Sequence, residues 1–401
     1  MGESIVSMPI RVLEVMEATI GGTKRHLLAL VRGLDRAQFQ VEVAAPEMRS
    51  EAFDDVTFTK EVREAGITQH FVPMQRAISP GSDVACFWRL VALMARGHYD
   101  LVHTHSSKAG FLGRFAARTA GVRTVVHTPH GFYFLNQKPG RKRSFYLRLE
   151  RIAGLMTHRM IALSPTEMAE AMENGIVRAD KVALIENGIR VPSPPGLATV
   201  SRLREVLAPG AEQLVGTVAR FTPQKGPFDF VRMASHLVHA VPGVHILWCG
   251  DGELREQVEA LSRELGVSDR LHFLGYRTDV LDIMSTLDVF VLTSHWEGLP
   301  YTVLDAMALE KPVVATAAVG TRDIVQEGIT GMLTPVGDPE AAARAIARLL
   351  LSPAERKAMG AAGRNTVLRR FSQEAMVERT GQLYLDLVTS VSARRLPFEG
   401  I

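Results

Sequence analysis

The sequence predicts an α/β protein made of two Rossmann-like, doubly wound domains. Three observations carry that prediction. At 401 residues the chain is too long for one ordinary core. Apolar runs of strand composition alternate with helical patterns through both halves, the β-α-β-α order that builds parallel sheets. Near the middle a proline-rich stretch, Pro192-Ser-Pro-Pro-Gly196, breaks both periods and reads as a stiff linker. The expected boundaries are 1–191 for the first domain, 197–371 for the second, and a last helix at 372–390 that crosses back to the first.

Apolar residues at 46% and charged residues at 22% are ordinary for a soluble globular protein. The two cysteines, Cys86 and Cys249, lie far apart without metal spacing, as expected of buried free thiols in a reducing compartment. No apolar run reaches the roughly 18 residues a bilayer span needs, and the first residues lack a basic segment followed by an apolar core. A cytoplasmic protein is expected, neither secreted nor integral to a membrane. Residues 1–190 hold 25 Lys+Arg against 19 Asp+Glu, and the remainder 21 against 24. A basic first half suits an anionic surface or acceptor; no nucleic-acid partner is expected.

In the first half, an apolar strand at 9–16 runs into Gly21-Gly22 ahead of a helical pattern at 26–34. Strand, glycine turn and helix make a phosphate-type loop whose amides approach a diphosphate unhindered by Cβ atoms; a tight turn explains the pair equally well. Strands follow at 39–45 and 68–73, a helix at 83–96, a strand at 99–105, a small-residue helix at 109–119 and a strand at 124–128. His103 and His105 alternate onto one strand face, where packing or hydrogen bonding is expected. Neither a carboxylate nor a third ligand accompanies them at zinc spacing, which argues against a metal. His130 is set apart by Gly131, which lets the chain turn sharply. The basic run of Lys138, Arg141, Lys142 and Arg143 reads as a loop, either solvated or meeting membrane phosphates or a lipid-diphosphate acceptor. A helix at 145–155 and strands at 160–164 and 182–189 complete this half.

The second half opens with a helix at 199–207 and a strand at 213–219, which delivers Arg220-Phe-Thr-Pro-Gln-Lys225-Gly226. An arginine and a lysine on one strand-to-helix turn can clamp a diphosphate from two sides, the guanidinium as a planar fork and the ammonium as a mobile point charge; a merely solubilising role explains the pair equally well. Strands at 244–249 and 271–276 follow, the latter ending in Gly275-Tyr276. After a strand at 289–293 comes Ser294-His-Trp-Glu297-Gly298-Leu299-Pro300, then a helix-forming segment and a strand at 312–316. Pro300 suits a first helical position, so the helix is expected to begin just after Glu297 and to leave the amides around Gly298 and Leu299 for an anion. Asp305 falls within that helix; taken alone, Glu297 and Asp305 read more simply as a capping pair on a solvated helix end. Residues 319–323, with Asp323, and 328–335 read as loops, and helices at 338–351, 353–364 and 372–388 close the chain.

Glu297 and Asp305, with Glu-Gly-Leu-Pro opening the segment and Leu-Glu-Lys-Pro-Val-Val-Ala-Thr closing it, resemble the E-x7-E signature of the family 4 retaining glycosyltransferases. Asp305 replaces the second Glu, and Asp323 stands where relatives usually carry Glu. The stretches at 105–114 and 128–134 look like the branch that builds bacterial capsular and other surface polysaccharides. Spanning roughly residues 9–390, the resemblance implies the GT-B fold, two domains facing across a cleft, and transfer of a sugar from a nucleotide diphosphate sugar with retention. The implied product is a hexosyl or N-acetylhexosaminyl transfer to a glycan or polyprenyl-diphosphate-linked acceptor, with UDP-sugars favoured over GDP-mannose.

The resemblance also implies roles. Arg220 and Lys225 take the phosphates, Glu297 the sugar hydroxyls, Asp305 the ribose, and His130 the sugar near its anomeric centre. Gly21, Gly22, Gly275, Tyr276, Gly298 and Leu299 would line the donor. No D-x-D motif occurs, so neither metal nor cofactor is expected beyond the nucleotide sugar itself. A nucleotide-sugar epimerase or hydrolase of the same fold is the alternative, and it would want an extra acid or base. A silent partner subunit should have lost Arg220, Lys225 or Glu297, and all three are present.

Overall fold

A computed structural model describes residues 8–47, 57–75, 77–137, 139–193 and 195–393. It divides into two compact units, one comprising Met1–Asn187 with Gln373–Ile401, the other Gly188–Ser372. The division falls ahead of the proline-rich stretch at 192–196. Its physical reason is a bridge that ties Ile189 to Ser372 within the second unit, where the Ile189 N–H donates to Phe371 O at 2.9 Å.

The first unit runs β1 (Ile10–Val15), α1 (Gly21–Gly33), β2 (Phe39–Ala45), α2 (Thr57–Glu64), β3 (Thr68–Phe71), α3 (Pro80–Gly97), β4 (Leu101–His105), α4 (Ser107–Thr119), β5 (Thr124–Thr128), α5 (Arg141–Leu155), β6 (Arg159–Ala162), α6 (Pro165–Glu173) and β7 (Val182–Leu184). Its seven-stranded sheet has the order β3-β2-β1-β4-β5-β6-β7, and its strand pairs are parallel. Helices covering both faces leave β4 and β5 buried along their whole length, so the polar His103, Thr104, His105, His127 and Thr128 they carry are buried with them. The chain winds outward from β1 to β3 and then from β4 to β7, so the strand order reverses between β1 and β4. Ligands of doubly wound sheets bind beyond the carboxyl ends of strands at such a reversal.

The second unit contains α7 (Leu197–Leu207), β8 (Gln213–Val218), α8 (Pro227–Ala240), β9 (Val244–Cys249), α9 (Arg255–Glu264), β10 (Leu271–Gly275), α10 (Val280–Ser285), β11 (Val289–Leu292), α11 (Tyr301–Ala308), β12 (Val313–Thr316), β13 (Gly331–Thr334), α12 (Pro339–Leu351) and α13 (Pro353–Arg370). Its sheet order, β10-β9-β8-β11-β12-β13, reverses between β8 and β11. Trp248 anchors the core, wholly buried and stacked on Phe221 at 4.5 Å between ring centroids. The chain ends in α14 (Gln373–Ala393), which belongs to the first unit and packs on α1 and β5.

Several elements depart from the expected ones. Residues 328–335 are not a loop throughout: 331–334 pair with β12 as an edge strand too short to show alternation. α2 and α10 are additional short helices, the first burying only Phe58 and Val62, one turn apart. The basic run at 141–143 is the first turn of α5, not a loop, because Gly140 takes a backbone geometry that ends the preceding turn and Arg-Lys-Arg propagates a helix well. Lys138 lies outside the described residues.

Candidate functional site

In the second unit, Lys225 follows β8 and Glu297 follows β11, so the two flank the reversal in strand order. Lys225 Nζ lies 2.6 Å from Glu297 Oε1, and the Ser294 hydroxyl donates to the same oxygen at 2.5 Å. Gln224 Nε2 donates to the Trp296 carbonyl at 3.1 Å and reaches Glu297 Oε2 at 3.4 Å. Glu297 is 6% exposed and Lys225 16%. A carboxylate this buried is tolerable because a cation and a hydroxyl hold one oxygen. Among the described residues the other oxygen has only the long Gln224 contact, and it keeps most of its accepting capacity.

Backbone contacts fix this geometry. The Thr293 hydroxyl donates to the carbonyls of Lys225 and Gly226 at 3.0 and 3.1 Å, and the His295 N–H donates to Gln224 O at 2.8 Å. The Glu297 N–H donates to Val319 O at 3.2 Å, which brings in the loop after β12. Two glycines permit such close approach. Gly226 has φ +58, and a Cβ there would stand 2.2 Å from Thr293 O; Gly320 has φ +80, and its Cβ would stand 2.0 Å from Gly298 O. Gly320→Ala is therefore expected to cost about 2–4 kcal/mol and to shift the Glu297 loop. Denaturant titration checks this, and a midpoint like that of the unsubstituted protein would refute it.

α11 begins at Tyr301, not just after Glu297. Pro300 is its N-cap, extended at φ −73 and ψ 112, and Leu299 precedes a proline, which disfavours helical backbone there. Gly298 and Leu299 are thus buried loop residues ahead of the helix rather than its first turn. Asp305 is in the helix and 4% exposed. Arg220 is partly buried just beyond β8. Gly275, at φ +68, ends the edge strand β10, and Tyr276 is exposed. Asp323 is partly buried in the turn after β12.

In the first unit, Gly21 and Gly22 are exposed and form the first residues of α1, which starts five residues earlier than expected. The larger surprise lies between β1 and β4. Contrary to the sequence expectation, a carboxylate does accompany His103 and His105: Glu14, wholly buried on β1, lies in register with His103. Glu14 Oε2 is 2.7 Å from His105 Nε2 and 3.3 Å from His103 Nδ1, and Tyr384 of α14 donates to Oε1 at 2.9 Å. His105 Nδ1 lies 3.0 Å from His130 Nε2, and His26 Nδ1 2.9 Å from Asn187 Oδ1.

Glutamate within an apolar strand was the available signal, since charge is costly there unless paired. The other members come from distant segments and had none. Burial would raise the Glu14 pKa, but the ion and hydrogen-bond contacts to His103 and His105 overcome it and hold the carboxyl well below the usual range. Burial, reinforced by repulsion from neighbouring rings, pushes His130 well below its ordinary value, His105 to about 4 and His26 to about 3.

His130 itself has φ +57, so the turn begins at the histidine as well as at Gly131. The Gly131 N–H donates to Glu167 Oε1 at 2.6 Å and so pins the turn; Glu167 also accepts from the Leu163 N–H at 2.7 Å and is capped by Ser164. Arg141 and Lys142 are exposed and Arg143 partly so, on a helix that also exposes Phe145, Ile152 and Leu155. Among the described residues no helix is long and apolar enough to cross a membrane.

Two parallel α/β units, each with polar groups at its reversal in strand order, define a GT-B type of glycosyltransferase architecture. Solved structures share it. The Anabaena protein Alr3699/HepE in complex with UDP matches with a TM-score of 0.78 at 23% identity, covering 94% of this chain and 100% of that one. Sucrose-phosphate synthase from Thermosynechococcus elongatus matches with a TM-score of 0.80 at 23% identity, covering 95% and 100%.

The family follows from sequence. Residues 20–191 match Glycosyltransferase Family 4 and residues 202–366 match Glycosyl transferases group 1. The chain is 31% identical over 377 residues to the UDP-Gal:alpha-D-GlcNAc-diphosphoundecaprenol alpha-1,3-galactosyltransferase of Escherichia coli, covering 91% of this chain and 96% of that protein. It is 28% identical to the putative glycosyltransferase EpsD of Bacillus subtilis (strain 168), covering 78% and 83%. The chain belongs to glycosyltransferase family 4.

Proposed function

We propose that this glycosyltransferase moves a hexosyl or N-acetylhexosaminyl group from a UDP-sugar, with retention, to a glycan or polyprenyl-diphosphate-linked acceptor of bacterial surface polysaccharide. The observation that supports it most is the Lys225–Glu297 pair at the reversal of the second sheet, with Arg220 on the same loop. An ammonium has three protons; one points at Glu297, and two remain for phosphate oxygens. The less occupied Glu297 oxygen is suited to accept from sugar hydroxyls. Asp305 takes the ribose, Gly275 and Tyr276 the base, and the backbone around Gly298 and Leu299 the phosphates. In the first unit, Gly21 and Gly22 act on the diphosphate and His130 on the sugar.

In the proposed step the bond from the anomeric carbon to the diphosphate oxygen breaks, and UDP leaves with the electron pair. The acceptor hydroxyl attacks on the vacated face, and its proton passes to the departing phosphate. Lys225 and Arg220 offset the charge that develops on the leaving group, so no D-x-D-bound metal is required in this scheme. Donor and acceptor follow the E. coli relative, whose name carries UDP-Gal and a diphosphoundecaprenol-linked acceptor. Arg141, Lys142 and Arg143, beside exposed Phe145, suit an anionic lipid surface, each cation contributing about 1 kcal/mol.

A thermal-unfolding panel of UDP-galactose, UDP-glucose, UDP-N-acetylglucosamine and GDP-mannose tests the donor. A UDP-sugar at about 100 times its Kd is expected to add about 2.7 kcal/mol of stability. Transfer to undecaprenyl-diphosphate-linked N-acetylglucosamine in the presence of EDTA, with the new linkage read by NMR, tests the rest. Protection by GDP-mannose alone, an inverted linkage, or loss of transfer in EDTA would each overturn the corresponding part. Free sugar released at the same rate without acceptor would favour a hydrolase.

A further inference from the structure

The buried polar network of the first unit settles its own proton positions. Glu14, His103 and His105 are all 0% exposed. An ionised carboxylate only accepts, so the proton in the 2.7 Å contact between Glu14 Oε2 and His105 Nε2 sits on the nitrogen. Neutral imidazole has a single N–H, which leaves His105 Nδ1 bare. The 3.0 Å contact between that nitrogen and His130 Nε2 then needs its proton on His130. Neutral His130 is in turn bare at Nδ1. Among the described residues no hydrogen bond reaches this atom, and His130 is partly exposed. Burial, which holds both rings neutral near pH 7, agrees with the assignment.

We propose that Glu14 is a positioning residue which, through His105, locks His130 as the Nε2-protonated tautomer, so that His130 Nδ1 accepts a hydrogen bond from a hydroxyl of the donor sugar. The acceptor half rests on the reading that His130 meets the sugar; the locking half does not. The carboxylate is itself held from the opposite side by Tyr384, and the left-handed backbone of His130 is pinned through Glu167 and Gly131. Ring nitrogens of His26, His105 and His130 also lie within 4.8 Å of one another, a grouping that offers ligands to a cation. The His105–His130 separation is that of an ordinary hydrogen bond, and one proton closes it without an ion.

The test uses the full chain labelled with 15N-histidine, whose two-bond proton–nitrogen spectra report each ring's tautomer. His105→Gln and His130→Gln variants assign the signals. Without ligand, His130 is expected to show a single form with N–H at Nε2 and a bare Nδ1. Glu14→Gln, whose amide both donates and accepts, is expected to give mixed or reversed tautomers at His105 and His130, and about tenfold weaker apparent affinity for UDP-galactose, the worth of roughly one hydrogen bond. Tyr384→Phe keeps the His105 contact and is expected to keep the single form.

A His130 ring protonated at Nδ1 or present as a mixture in the unsubstituted protein overturns the proposal even if Glu14→Gln fails to fold. So does a ring lacking both N–H signals together with a stoichiometric metal by elemental analysis. UDP-galactose that protects the protein from unfolding yet leaves the His130 Nδ1 signal unmoved overturns the acceptor half and the sugar role of His130, while the ligand-free spectrum decides the locking half separately.

Discussion

Lys225→Ala and Glu297→Ala are each expected to lower sugar transfer by about 10² to 10³-fold or more while the chain remains folded. The lysine variant removes a charge aimed at the leaving group, and the glutamate variant removes both an acceptor for the sugar and the partner that aims the lysine. Stability falls as well, because the pair is mostly buried at 6% and 16% exposure. Without Lys225, the Glu297 carboxylate keeps, among the described residues, only the Ser294 hydroxyl and the long Gln224 contact, at a cost of about 3 kcal/mol. Removing both partners takes away the stranded charge, so the double variant should be more stable than the sum of the singles while remaining as inactive as either. Turnover with a UDP-sugar and calorimetric melting of the three variants check this. Turnover within about threefold of the unsubstituted protein in either single variant would sink the proposed roles.

What made this second site legible in the sequence was locality. Lys225, Gly226, Glu297 and Pro300 each sit in a short loop between a strand and a helix, and the apolar runs on either side fix where those loops must emerge. Two buried strand ends that are neighbours in a parallel sheet then have to bring their loops together. Gly320 was within sight, but its role was not, because the close approach to Gly298 O exists only once β12 lies beside β11. Pro300 suits a first helical position, but it also disfavours helical backbone at Leu299 before it, and that second effect decides where α11 starts.

The first-unit network was hardest to read for the opposite reason. Glu14, His26, His103, His130 and Tyr384 come from five segments spanning nearly the whole chain, and hydrogen bonds such as Tyr384 to Glu14 join residues 370 positions apart. Periodicity assigns Glu14, His26, His103 and Tyr384 to strands and helices and His130 to the turn after a strand, and says nothing of which ones meet. Only the misfit of a glutamate in an apolar strand hinted that a partner had to exist. α2 and β13 are short enough that tertiary contact, not their own pattern, decides their state, and the first turn of α5 is polar and largely exposed, with no apolar period of its own to mark it.

That same network should make the first unit the acid-sensitive one. His26 and His105 titrate in the folded state at about 3 and about 4, and His127 and His130 also lie well below their ordinary value, all chiefly through burial. In the unfolded chain these rings take up protons near pH 6.5. As pH falls below that value the unfolded chain binds protons the folded one refuses, and each such ring withdraws about 1.4 kcal/mol per pH unit. The loss runs from 6.5 down to the folded values. Between pH 6.5 and 5, His26 and His105 together withdraw about 3 kcal/mol, a large share of the ~5–15 kcal/mol typical of a domain.

Glu14 acts in a lower window. Its folded pKa is depressed, so its contribution is complete above the ordinary carboxylate pKa and is lost as pH falls below it. In the second unit His245 and His272 are also lowered by burial, but both are only partly buried, and the effect there is smaller. Hydrogen exchange followed by mass spectrometry between pH 7.5 and 5 is expected to show β4 and β5 losing protection well before β8 and β11, at otherwise constant conditions. Equal loss in both sheets would mean that the buried rings of the first unit accept protons in the folded state.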